Sequence, residues 1–133
     1  MNNQDFSQKD KTDHSGAFAE AFFIANLLFI GIFYIILWGF YFVAYKKASQ
    51  VSKNHIKQTL WASTLSTAIA IALMLIALLT TGFASVQALI MAEVYLMLVV
   101  PLFMILGILG FTKAVNGNNF KFPIIGNLLG VEK

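Results

Sequence analysis

The sequence has no cysteine and no arginine, only two prolines and two histidines, and charge on just 11% of its 133 residues. Each shortage excludes something. Without cysteine there is no disulfide framework, thiol nucleophile, thiolate metal site or haem-attachment motif. Soluble domains carry about 25% charged and about 45–50% apolar residues. Here 59% are hydrophobic, which leaves too few polar side chains to cover a water-facing surface. The expected class is a small integral membrane protein, a single domain at this length. No phosphate-binding loop, dinucleotide fingerprint, nucleophile elbow or two-histidine metal motif occurs. Neither enzyme activity nor a cofactor is therefore expected.

What is present is long runs without charge. Residues 1–16 are polar and mixed in sign (Asp5, Lys9, Asp10, Lys11, Asp13), unlike the basic start and apolar core of a secretory signal. Ala21 to Tyr45 is a charge-free run of 25 residues that ends at Lys46-Lys47. About 20 apolar residues cross a hydrocarbon core, so this run predicts a first transmembrane helix over 21–45. Gln58 to Ala92 is a charge-free run of 35 residues, too long for one ordinary helix, and Thr80-Thr81-Gly82 interrupts it. Splitting it there predicts helices at about 60–79 and 88–111. Asn116-Gly117-Asn118-Asn119 marks a turn, and the apolar tail Ile124 to Val131 is too short to cross. The expected fold is all-α: a polar tail over 1–16, three transmembrane helices within 17–111, and a turn with a short interfacial segment over 112–133.

Lysine placement sets the expected orientation. Lys46, Lys47, Lys53 and Lys57 lie between the first two helices, none lies between the second and third, and Lys113, Lys121 and Lys133 follow the third. The positive-inside rule puts the first loop and the C-terminus in the cytoplasm. Three spans then put the N-terminal tail outside, with Asp5, Asp10, Asp13 and Glu20. The isoelectric point near 9.3 follows from anionic lipid headgroups facing those lysines, with no nucleic acid required.

Few residues could carry chemistry. Glu93 is the only formal charge within the predicted third helix, and an ionisable group at membrane depth marks a functional site by default. It lies close enough to the helix end to snorkel into headgroups, which is the preferred reading. Glu20 falls at the same expected interface, so the two carboxylates could meet and share a proton or cation. His14 and His55 are expected on opposite sides of the bilayer, which speaks against a metal site within the chain. Phe18, Phe22, Phe29, Phe33 and Phe40 form one stripe, lipid-facing or partner-facing. Asn26 near it favours a protein contact, because a lone amide in hydrocarbon is costly. Ala62, Ser66 and Ala70 repeat every four residues as a small-residue packing seam, with Ser63 and Thr67 beside it. Pro101 predicts a kink, followed by Gly107 and Gly110.

Two stretches carry a resemblance. Tyr45-Lys46-Lys47-Ala48-Ser49 through Asn54-His55-Ile56-Lys57-Gln58-Thr59-Leu60, and Thr112-Lys113-Ala114-Val115-Asn116-Gly117 through Phe120-Lys121-Phe122-Pro123-Ile124, resemble a family of small bacterial polytopic membrane proteins of unknown function. That family is distantly similar to the Tic-type translocon component of the chloroplast inner envelope. His14-Ser15 matches its opening, while its first-helix proline is missing here. The resemblance implies a bacterial inner-membrane location and brings no catalytic residues. The expected function is an accessory or structural subunit that binds other integral membrane proteins or itself. The alternative is a transport or translocation component, either a homo-oligomeric pore or part of a protein-conducting channel.

Overall fold

The structure is a computed structural model that describes residues 13–131. Most of the predicted tail 1–16 therefore lies outside the described residues. Those residues form helices and turns without a strand.

The first apolar run is not one helix. It folds as α1 (Ser15–Leu28) and α2 (Ile32–Ala44), doubled back on each other. The ring of Phe22 contacts both Phe33, at 6.4 Å, and Phe40, at 5.5 Å. At 1.5 Å per residue the 14 and 13 residues of these helices rise about 21 and 20 Å. Neither covers a hydrocarbon core of about 30 Å. Gly31 makes the reversal, with φ +94°, a region open to glycine and strained for other residues. Asn26 holds it: its Oδ1 accepts from Gly31 N at 3.2 Å, and its Nδ2 donates to Thr67 Oγ1 at 3.1 Å. The amide thus works within the chain. Replacing Asn26 with Leu strands a turn N–H, which typically costs about 1–3 kcal/mol. Asn26→Leu is expected to lower the unfolding midpoint in detergent; an unchanged midpoint would show that the turn stands without it.

The other two apolar stretches are long helices. α3 (Gln50–Thr80) starts at Ser49, whose Oγ accepts from Ser52 N at 3.2 Å. After a turn with Gly82 at φ +77°, Ser85 caps α4 (Val86–Val94) by accepting from Ala88 N at 3.1 Å. A π-helical turn, Tyr95–Val99, then joins α4 to α5 (Val100–Val115). Pro101 cannot donate a backbone hydrogen bond, and the wider turn before it, where Val100 N bonds Tyr95 O, accommodates that gap. Val86–Val115 is thus one continuous apolar rod. Two helices, not the expected three, are long and apolar enough to cross a membrane. The hydropathy of 21–45 misled because its break is built from Phe29, Ile30 and Gly31, which score like helix interior.

α1 lies between α3 and α5. Phe23 and Leu27 meet Ala62, Ala70, Tyr95, Val100 and Phe103 in the main core. Gly107 permits the approach, since a Cβ there would fall 2.7 Å from Ile24 Cγ1. Ala62, Ser66 and Ala70 are all buried in this fold. A second cluster joins Ala19, Leu37, Ile56 and Leu60 across α1, α2 and α3. After α5 the chain runs back over the bundle, seats Phe122 fully buried at 6.0 Å from Phe23, and closes with the single turn α6 (Ile125–Leu128). Beyond Gly31, α3 and α4 continue without α1, and Met74, Leu75, Leu79 and Leu89 are exposed.

Candidate functional site

A group of buried polar side chains, Glu20, Ser49, Ser52, His55, Gln58 and Thr59, gathers at the end of the bundle opposite the Thr81–Gly82 turn. Three segments distant in sequence meet there: the start of α1, the first turns of α3, and the returning segment after α5.

Asp13 ties the first to the second. Its carboxylate accepts from Ser15 N at 3.0 Å and Ser49 N at 2.6 Å, and its carbonyl accepts from Ser52 Oγ at 3.2 Å. Partial burial would raise its pKa, but the hydrogen bonds from Ser15, Ser49 and Ser52 outweigh that and hold it at about 2. This contact corrects the expected topology. The described start of the chain lies at the same end as Ser49, so the first apolar run leaves and returns on one side.

Glu20 lies one turn further along α1 and is fully buried with His55 of α3. Glu20 Oε1 is 2.7 Å from His55 Nδ1, and His55 Nε2 is 2.9 Å from the carbonyl of Asn118. A carbonyl only accepts, so Nε2 carries a hydrogen. The short contact on the other side needs one more hydrogen between nitrogen and carboxyl. The pair therefore holds one shared proton and no net charge, as carboxylic acid with imidazole or as carboxylate with imidazolium. Glu20 Oε2 has no hydrogen-bond partner among the described residues and lies against Gly110 of α5.

The returning segment is fixed by neighbouring α3 side chains. Gln58 Nε2 donates to the Phe120 carbonyl at 2.7 Å, and Gln58 Oε1 accepts from Phe122 N at 2.6 Å. One side-chain amide thus pairs with extended backbone as an adjoining strand would. Asn54 Nδ2 donates to Asn119 Oδ1 at 3.2 Å. Three side chains within five residues of α3 hold the segment that seats Phe122.

Of the carboxylates singled out in the sequence, Glu20 is in this network, but its partner is His55. Glu93 is exposed on α4. His14 is exposed just before α1, at the same end of the bundle as His55 and not at the opposite end. Among the described residues no group of three or more side chains could hold a metal ion. Sequence reasoning missed His55, Gln58 and Asn118. The available signal was His55 and Gln58 three residues apart on one face of a helix, within the polar stretch Ser52 to Thr59 that leads into an apolar run. In chemical terms the arrangement holds a buried proton and clamps a chain segment. Compared with known proteins, this chain matches no family model, no curated protein and no solved structure.

Proposed function

We propose that the chain is a small integral membrane protein that serves as an accessory subunit, binding a transmembrane helix of another membrane protein. In this reading α3 and the α4–α5 rod cross the bilayer. The α1–α2 hairpin enters from the lysine-bearing cytoplasmic side and returns to it. The observation that carries the reading is a groove of about 700 Å³ in the far half of the molecule. It opens between α3 and α4 beyond the point where α1 turns back, and alanines of both helices, among them Ala77, Ala88 and Ala92, line it between larger apolar side chains such as Leu73, Phe83 and Leu89. Small residues let helix backbones approach closely in lipid, where association depends on packing and not on a hydrophobic drive. Most of the α3 hydroxyls that could have lined a channel bond within the chain, and Ser63 Oγ, which has no partner among the described residues, is buried. Thr59 Oγ1 donates to the His55 and Ile56 carbonyls, Ser66 Oγ to the Ser63 carbonyl, and Thr67 receives Asn26. That favours the subunit over the channel alternative.

Two experiments test the proposal. Because the chain has no cysteine, single-cysteine variants report topology directly. Ser85→Cys should react with an impermeant maleimide in intact cells, whereas His14→Cys, Asn54→Cys and Asn118→Cys should react only after lysis. Labelling of His14→Cys in intact cells would restore three spans and sink the hairpin. For the groove, a photo-crosslinker at Ala92 should give a protein adduct of one size that Ala77→Leu or Ala88→Leu abolishes. Lipid adducts alone, or an adduct indifferent to those leucines, would refute the docking role.

A further inference from the structure

Lys53 and Lys57 sit four residues apart on α3, and both ammonium groups face the ring of Tyr45, at 5.8 and 5.7 Å from its centroid. Like charges at this spacing repel on a helix. Among the described residues neither has an acidic partner: the one ion pair joins Glu20 to His55, and Asp13 is taken up by Ser15, Ser49 and Ser52. Two cations collected on one ring without a counterion make a place for an anion. Directly beside them, between α2 and α3, is a cavity of about 280 Å³ lined by Trp38, Tyr41, Lys57, Leu60, Trp61 and Thr64. Thr64 in its wall is bonded across to α2, with Tyr34 Oη and Thr64 Oγ1 3.1 Å apart. The site therefore has a cationic rim and an aromatic, apolar interior.

We propose that this cleft binds one anionic phospholipid, its phosphodiester held between Lys53 and Lys57 and its glycerol and upper acyl chain lying along Trp38 and Trp61. The inference rests on the membrane placement proposed above and names a lipid partner within it. A free phosphate would satisfy the lysines but leave the aromatic walls without a partner. A lipid satisfies both, because charge and apolar surface succeed each other in the same order in the cleft and in the molecule. Aromatic rings at this level also suit the boundary between headgroup and hydrocarbon.

Trp38 and Trp61 are the only two tryptophans and both line the cleft, so their fluorescence reads occupancy without a label. The full chain is placed in phosphatidylcholine nanodiscs containing increasing fractions of brominated phosphatidylglycerol. Quenching should saturate at a low fraction. Each lysine near an anionic lipid contributes about fivefold in affinity, so Lys53→Gln with Lys57→Gln should raise the half-saturating fraction roughly 30-fold. A charge-matched control, Lys113→Gln with Lys121→Gln, should leave it within about twofold, separating a built site from general surface potential. Brominated phosphatidylcholine should quench without saturation and equally in every variant. Equal phosphatidylglycerol quenching in the wild type and the Lys53/Lys57 variant overturns the site while leaving the membrane placement standing. Reversal of the saturable quenching by inorganic phosphate reassigns the site to a free anion. Quenching by neither lipid overturns the membrane placement and the site with it.

Discussion

Glu20→Leu is expected to be among the most destabilising single changes in the chain. It removes one partner of a fully buried pair at 2.7 Å and leaves His55 Nδ1 facing hydrocarbon. Breaking a buried pair this way costs about 3–5 kcal/mol, most of it the penalty of the abandoned group. Glu20→Gln should be far milder, because a primary amide can donate to neutral imidazole and keep the shared contact. The double variant Glu20→Leu with His55→Leu should recover much of the single loss, since removing both partners lifts the desolvation penalty. Unfolding midpoints in detergent, together with the rate of trypsin cleavage after Lys121, read both the fold and the clamp. Losses that simply add in the double variant would show that the two side chains do not act as a pair.

Gly110→Val is expected to damage the same end from the opposite direction. A Cβ at position 110 would fall 2.6 Å from Glu20 Cδ, so the fully buried carboxyl would have to shift, and with it the contact to His55. Filling a close-packed site typically costs about 1–3 kcal/mol, and here the displaced group is also half of the buried pair. Gly39 of α2 supplies the control. A Cβ there meets nothing within 4 Å. Gly39→Ala should therefore stabilise, by up to about 1 kcal/mol from helix propensity. The comparison is made by thermal unfolding of both variants beside Gly110→Ala. If Gly110→Ala unfolds no earlier than Gly39→Ala, the close approach of α5 to Glu20 is not a real constraint.

The all-helical character was legible because charge-free runs that exceed about 20 residues leave the backbone few alternatives. The turn at Thr80-Thr81-Gly82 was legible because polar hydroxyls and glycine stand out in an apolar sequence. The hairpin was not. Its reversal falls at Phe29-Ile30-Gly31, and the only polar mark near it is Asn26, five residues before the N–H it binds. A side chain that serves a turn ahead of it reads, in one dimension, like a contact with another helix. The buried pair was hidden for a related reason. Read as one continuous helix, 21–45 holds Glu20 and His55 at opposite ends, whereas the reversal at Gly31 brings them together. The seam of Ala62, Ser66 and Ala70 was visible as small spacing, but spacing does not tell whether the helix it admits belongs to the same chain. Here α1 occupies it.

The clamp has a consequence for the order of assembly. His55 and Gln58 find their partners at Asn118, Phe120 and Phe122, 62 to 64 residues later in the chain. During synthesis both α3 side chains and the backbone groups they will bind emerge at different times. The amide of Gln58 and the Nε2 of His55 wait, unsatisfied or watered, until α4, the π-turn and α5 have been made. Burial of Phe122 against Phe23 is therefore a late event, and it closes a ring that starts with Asp13 at Ser49. Until the segment after α5 has been made, the polar end of the bundle stays open, and it is that segment that seals it.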